Sequence, residues 1–180
     1  NGGWADVAVT FASVDGKYTA FILDKECDGW MVGEEEKKMG IKGSSTVTFF
    51  YEDCKVPVEN VLGKVGEGGP IAFNVLYVGR YKLGVSAAGG SKYVIDAAFD
   101  YAAERQQFNR PISEFGMVQK KLANMVTRVW EGDSVNYMTT GSIDHTLSSV
   151  DKTSANYFET VQKVIEDHGI EASVCKVVGS

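Results

Sequence analysis

Between Ile71 and Phe108 only glycine interrupts a helical pattern, and this stretch limits the possible folds more than any other part of the chain. Ile71, Val75 and Val78 fall on one face, and Ile95, Ala98, Phe99 and Ala102 share a later stretch of it, the period of an amphipathic helix. Unbroken, at about 1.5 Å per residue, such a helix reaches roughly 55 Å. A rod of that length suits a bundle of long helices better than a compact α/β domain. The small residues of "GVSAAGGS" at 84–91 let a neighbouring helix approach closely, although each glycine costs about 1 kcal/mol in helix propensity. Two further helices are predicted, from about Glu114 to Ile143 and from about Ser154 to the end, joined by the polar "DHTLSSVDKTS".

The first 60 or so residues have a different texture, mostly antiparallel β. Residues 4–12 alternate, with Val7, Val9 and Phe11 on one side and Ala8, Thr10 and Ala12 on the other, which predicts a half-buried strand. "VDGK" at 14–17 reads as a tight hairpin turn, because Asp-Gly tolerates the positive φ such turns require. "YTAFIL" is apolar on both faces and predicts a more deeply buried strand; "TVTFFYEDCKV" at 46–56 predicts another. "EEEKKMG" at 34–40 reads as a solvated charged loop. "GKVGEGG" at 63–69 lacks the Lys-Ser/Thr ending of a phosphate-binding P-loop and reads as a β-to-α joint.

A net charge of −6 argues against a general nucleic-acid surface and a polybasic membrane patch, and no run approaches the roughly 20 apolar residues of a membrane span. Cys27, Cys54 and Cys175 are odd in number and far apart, without the spacing of a zinc site or a redox motif, which points to a reducing compartment. His145 and His168 have no companions that would make a metal site, and both read as surface. Glu104, Glu114, Glu159, Glu166 and Glu171 read as solvated helix carboxylates. The chain begins without Met and ends inside a helical pattern, so it reads as a piece of a longer protein.

Two places carry more chemistry than packing requires. Arg80 lies among apolar neighbours in "VLYVGRYKLG", and a buried guanidinium needs an anion or a dense set of acceptors. At the predicted break between helices, Arg105, Gln106, Gln107 and Asn109 surround Phe108. Arg105 offers a planar fork to a phosphate, and the glutamines add neutral donors.

With these segments in view, "IKGSSTVTFFYEDCKVPVENVLGKVGEG", "FNVLYVGRYKLG" and "ERQQFNRPISEFGMVQKKLANM" together resemble the acyl-CoA dehydrogenases, and "NGGWADVAVTFA" is similar to a further segment of that family. Gly116 after Phe115 resembles the very-long-chain type and its bacterial relatives. The resemblance implies an α+β fold: part of an antiparallel β-barrel, the middle domain, over residues 1–63, then the first three helices of an up-down four-helix bundle over 64–180. It implies FAD-dependent α,β-dehydrogenation of fatty acyl-CoA thioesters, as in fatty acid β-oxidation. Arg105, Gln106, Gln107 and Phe108 match the segment that reaches the FAD diphosphate and adenosine of a neighbouring subunit. Phe115, Gly116 and Gln119 match the rest of that contact. Asn109 stands where the family usually has Gly.

By the same resemblance Arg80 lies near the acyl-CoA substrate, with Tyr77 in place of the usual Asp. Gly79 occupies the position where some subgroups carry the catalytic glutamate. The base is therefore expected outside this chain, no catalytic residue and no metal ligand is assigned within it, and the isolated chain is expected to be inactive. The implied partners are an electron-transferring flavoprotein and further copies of the chain, as a homodimer or tetramer. The implied compartment is the bacterial cytoplasm, or the mitochondrial matrix in a eukaryote. An acyl-CoA oxidase-like flavin oxidase and a non-catalytic assembly protein on the same scaffold remain open as alternatives.

Overall fold

The computed structural model describes every residue from Asn1 to Ser180. Two compact units divide the chain at Ala72/Phe73.

In the first unit, β1 (Val7–Val14) and β2 (Lys17–Asp24) form the predicted hairpin, in register from Val7 opposite Asp24 to Val14 opposite Lys17. Asp15 and Gly16 take φ of 49° and 78°, the paired left-handed conformation that matches the twist of a two-residue hairpin. The short β5 (Val61–Leu62) adds to β2, while β3 (Trp30–Glu35) and β4 (Val47–Tyr51) make a separate antiparallel pair. These are small open sheets rather than a closed barrel. Thr10 Oγ1 and Tyr51 Oη, 3.0 Å apart, join the two, and Trp30 packs edge-on against Phe49 and its cross-strand partner Tyr51.

Burial in the hairpin differs from the expectation. The alternation of β1 is real, but Val7, Val9 and the paired Ile22 lie on the open face. In β2, Thr19 and Leu23 are buried on one face, while on the other Ala20 is buried between exposed Tyr18 and Ile22, so the strand is covered on both sides only around Thr19 and Ala20. The charged "EEEKKMG" is not wholly loop either. Glu34 and Glu35 finish β3, and the Glu35 carboxylate accepts hydrogen bonds from the Ser45 hydroxyl and, at 3.0 Å, from the Thr46 N–H. Those bonds to the ionised form hold its pKa below the usual carboxylate value, the Ser45 bond contributing most.

The glycine-rich joint forms as predicted. Gly66, at φ 97°, donates its N–H to Thr19 Oγ1 at 3.0 Å, and a Cβ at Gly68 would stand 2.9 Å from the Thr19 backbone. The loop can turn and the next helix can start against β2 only because both positions lack a side chain.

The second unit continues α1 (Gly68–Glu104) and adds α2 (Gly116–Ser148), α3 (Tyr157–Asp167) and α4 (Gly169–Gly179). The inward line of α1 runs through Asn74, Tyr81, Gly84 and Ala88. Val75 and Val78, predicted to share the apolar face with Ile71, are exposed. Small and hydrogen-bonding residues take the inner line because the helices meet closely there. Tyr81 Oη lies 2.6 Å from Thr140 Oγ1 of α2, Lys92 pairs with Asp133 at 2.6 Å, and Asn74 Nδ2 donates to the Gln162 carbonyl of α3 at 3.2 Å. Cys175 of α4 and Thr139 of α2, each 1% exposed, meet at 3.4 Å.

Two helix boundaries moved. α2 runs on to Ser148, through residues predicted as loop, so His145 sits on its surface. The predicted third helix is two, broken at His168, whose φ of −99° and ψ of 16° leave the helical region. Its ring explains the break: Nδ1 bonds the Val164 carbonyl at 2.7 Å and Nε2 pairs with Ser142 Oγ of α2 at 2.8 Å. His168 is thus a bridge between helices and not a surface residue as predicted.

Candidate functional site

The polar corner after α1 is built differently from a simple helix break. The helix stops at Glu104, short of the predicted Phe108, and a small hairpin follows: β6 (Gln106–Gln107) pairs with β7 (Arg110–Pro111), Gln107 opposite Arg110. Phe108 and Asn109 turn it with φ of 53° and 62°. Asn is the side chain that tolerates this conformation best after Gly, which accounts for Asn109; Phe tolerates it poorly. The Ile112 N–H closes the base of the loop on the Arg105 carbonyl at 2.8 Å.

The hairpin stands in solvent. Arg105, Gln106, Gln107 and Asn109 are exposed, and Phe108 is 87% exposed although large and apolar. Its ring meets Phe115 edge-on at 6.2 Å, and the Arg110 guanidinium lies 4.1 Å from the Phe115 ring centroid. Arg110 escaped the sequence reading; its place two residues after Phe108, inside the same polar cluster, was the available signal. Immediately beyond, α2 opens at Gly116 with no side-chain cap on Phe115, and a Cβ at Gly116 would meet nothing within 4 Å. Gln119, one turn into α2, is exposed as well. The arrangement therefore puts two guanidiniums, four side-chain amides and the free N–H groups of a helix start along one exposed stretch. Such a donor set suits a phosphorylated anion, with the two rings to cover an aromatic base.

The second predicted pair also comes together. Tyr77 and Arg80 line one cleft of roughly 510 Å³, closed on the other side by Glu166, Gly169, Ile170, Ser173, Val174 and Val177. The guanidinium carbon of Arg80 lies 5.5 Å from the Tyr77 ring centroid. Arg80 is only half-buried, so it is not the enclosed cation that its apolar neighbours in sequence suggested. The Tyr77 ring rests on Gly169, where a Cβ would stand 2.9 Å from it. Glu166 and Ser173 reach this cleft from α3 and α4, and nothing in their local sequence marked them.

An α+β chain of this architecture, with a donor-rich hairpin between its two longest helices, defines a structural class with solved members. The crystal structure of an acyl-CoA dehydrogenase complexed with FAD from Bacillus anthracis matches over 99% of this chain and 31% of its own, with a TM-score of 0.90 and 42% identity. The profile "Acyl-CoA dehydrogenase, C-terminal domain" matches residues 66–180. A Bacillus subtilis (strain 168) protein named "Probable acyl-CoA dehydrogenase" is 44% identical over 100% of this chain and 30% of its own length. The mitochondrial very long-chain specific acyl-CoA dehydrogenase of Rattus norvegicus is 36% identical over 100% of this chain and 26% of its own. The chain belongs to the acyl-CoA dehydrogenase family. It spans less than a third of the length of these relatives.

Proposed function

We propose that the chain supplies part of the cofactor and substrate sites of an FAD-dependent dehydrogenase that introduces the α,β double bond into fatty acyl-CoA thioesters. Residues 1–63 are the later part of its middle β-domain and 64–180 the first helices of its C-terminal bundle. Arg105, Gln106, Gln107 and Gln119, with the amides at Gly116, grip the FAD diphosphate, while Phe108 and Phe115 cover its adenosine. Tyr77 and Arg80 contact the acyl-CoA. One observation carries the reading: an aromatic held in a left-handed turn beside two guanidiniums stays 87% exposed and makes only an edge contact with Phe115, little packing for the strain.

When bound, the flavin supplies the acceptor for the hydride leaving Cβ. This chain's residues bind and orient. The group that removes the α-proton lies elsewhere in the protein, since Gly79 offers none, and the isolated chain is inactive. The hairpin projects away from its own fold, which favours a cofactor shared with a second copy in a symmetric homo-oligomer. An electron-transferring flavoprotein is the proposed oxidant, and the compartment is the bacterial cytoplasm or the mitochondrial matrix.

The test is the visible spectrum of the full-length protein. It should carry flavin bands that bleach anaerobically on addition of a long-chain acyl-CoA. A protein that retains no flavin after reconstitution with FAD would refute the proposal.

A further inference from the structure

Cys27 and Cys54, distant in sequence, are brought together at one end of the β3–β4 pair. Trp30 lies opposite Tyr51, and the next bond beyond it joins the Glu52 N–H to the Gly29 carbonyl at 3.0 Å. Beyond that bond both segments turn, Gly29 at φ 86° and Asp53 at φ 51°, and the turns carry Cys27 and Cys54 to the same corner. Two tight turns hold Cys27 there: its N–H bonds the Asp24 carbonyl at 3.0 Å, and its carbonyl accepts from Trp30 N–H at 3.1 Å. The Cys27 Sγ reaches 3.9 Å from the carbonyl of Lys55, the neighbour of Cys54. The Cys54 Sγ comes within 3.4 Å of the position a Cβ would take at Gly29. The two thiols are neighbours, and both side chains are half-buried, so small molecules can reach them.

We propose that Cys27 and Cys54 are a reversible redox pair, closed to a disulfide by exchange with a small-molecule disulfide such as glutathione disulfide. One cysteine thiolate attacks a sulfur of the small disulfide and expels one thiolate. The other cysteine then attacks the protein sulfur of the mixed disulfide and expels the second. The two protein thiols are oxidised, the small disulfide is reduced to two thiols, and the protein thiol protons end on those products. The corner supplies what the reaction needs, two thiols held as neighbours by turns from separate segments. A metal site is a poorer use of the pair, since no third cysteine, histidine or carboxylate completes a ligand group around it. Partial burial and then the neighbouring Cys27 thiol raise the Cys54 pKa, so exchange should quicken as pH rises. Once formed, the bond ties the corner between β2 and β3 to the segment leaving β4.

The experiment treats the full-length protein, with any cofactor it carries, with glutathione disulfide. It is then alkylated, digested without reduction and read by mass spectrometry. The expected product is a pair of peptides joined through Cys27 and Cys54, lighter by the lost hydrogens and separated by dithiothreitol. Cys27→Ser and Cys54→Ser should each leave a glutathione adduct on the remaining cysteine. Cys175, 1% exposed, should stay unmodified until the protein unfolds. Separate glutathione adducts on both cysteines of the unsubstituted protein, or both thiols still fully alkylatable after treatment, would overturn the proposal.

Discussion

Gly84 of α1 lies so close to Cys175 of α4 that a Cβ at Gly84 would stand 2.5 Å from the Cys175 carbonyl oxygen and 2.9 Å from Asn136 Oδ1. The obstacle is mainly backbone, which cannot rotate aside as a side chain would. Gly84→Ala should therefore destabilise the chain by about 1–3 kcal/mol through overpacking, reduced by the roughly 1 kcal/mol that alanine gains in helix propensity. Gly89, with nothing within 4 Å, is the contrast: Gly89→Ala should stabilise by about 0.5–1 kcal/mol. Urea unfolding of both variants checks the pair, and equal shifts would mean that the helices are not in contact at Gly84.

Arg105 is exposed, and its ties to the fold are backbone bonds, N–H to the Tyr101 carbonyl at 2.9 Å and carbonyl to the Ile112 N–H at 2.8 Å. Arg105→Ala should leave thermal stability nearly unchanged. Under the proposed function it weakens FAD binding about 10- to 100-fold, since a hydrogen bond to a charged group is worth about 1.5–3 kcal/mol. Arg105→Lys should recover only part, because the planar fork is lost. Flavin fluorescence released on dilution of the full-length protein measures the effect.

The Tyr77 ring depends on the absence of a side chain at Gly169. Gly169→Ala should displace the ring and with it the Arg80 guanidinium, while leaving the Arg105 hairpin untouched. Under the proposed function the expected result is a KM for acyl-CoA raised several-fold with flavin content unchanged. Loss of flavin instead would mean that the two places are not separate in function.

Glu35 supplies a pH dependence with a definite sign. Its folded carboxyl is held below the ordinary value of 4.5, chiefly by the Ser45 hydroxyl and then by the Thr46 N–H. A depressed carboxyl adds stability above that ordinary value, and the contribution fades as pH falls through the lowered folded value. Glu35→Gln removes the titrating group. The stability gap between the unsubstituted chain and this variant should be greatest near neutrality and narrow below pH 4.5. A gap constant from pH 7 to pH 3 would show that the carboxylate is not bonded as described.

Much of the fold was legible in local sequence because its causes are local. The Asp15–Gly16 turn follows from which residues accept positive φ, the long α1 from an apolar period that glycine does not cancel, and the joint at 63–69 from its glycines. The donor chemistry at Arg105 could also be read, because side-chain type is a property of the residue alone. Its geometry could not. A helix through Phe108 and a hairpin turning on Phe108 and Asn109 differ in where the backbone hydrogen bonds go, and short-range preference does not decide between them.

Contacts between distant segments set the remainder. The inner line of α1 goes to Asn74, Tyr81, Gly84 and Ala88 because close helices reward small or hydrogen-bonding residues over Val75 and Val78. The break at His168 follows from Ser142, which lies on another helix. Cys27 and Cys54 read as isolated thiols until the turns beyond the β3–β4 pair bring them to one corner. Period, turn type and chemical character are short-range properties and were present in the order of the residues. Which face is covered, and which remote groups meet, depends on the closure and packing of separate elements, and only the tertiary structure decided that.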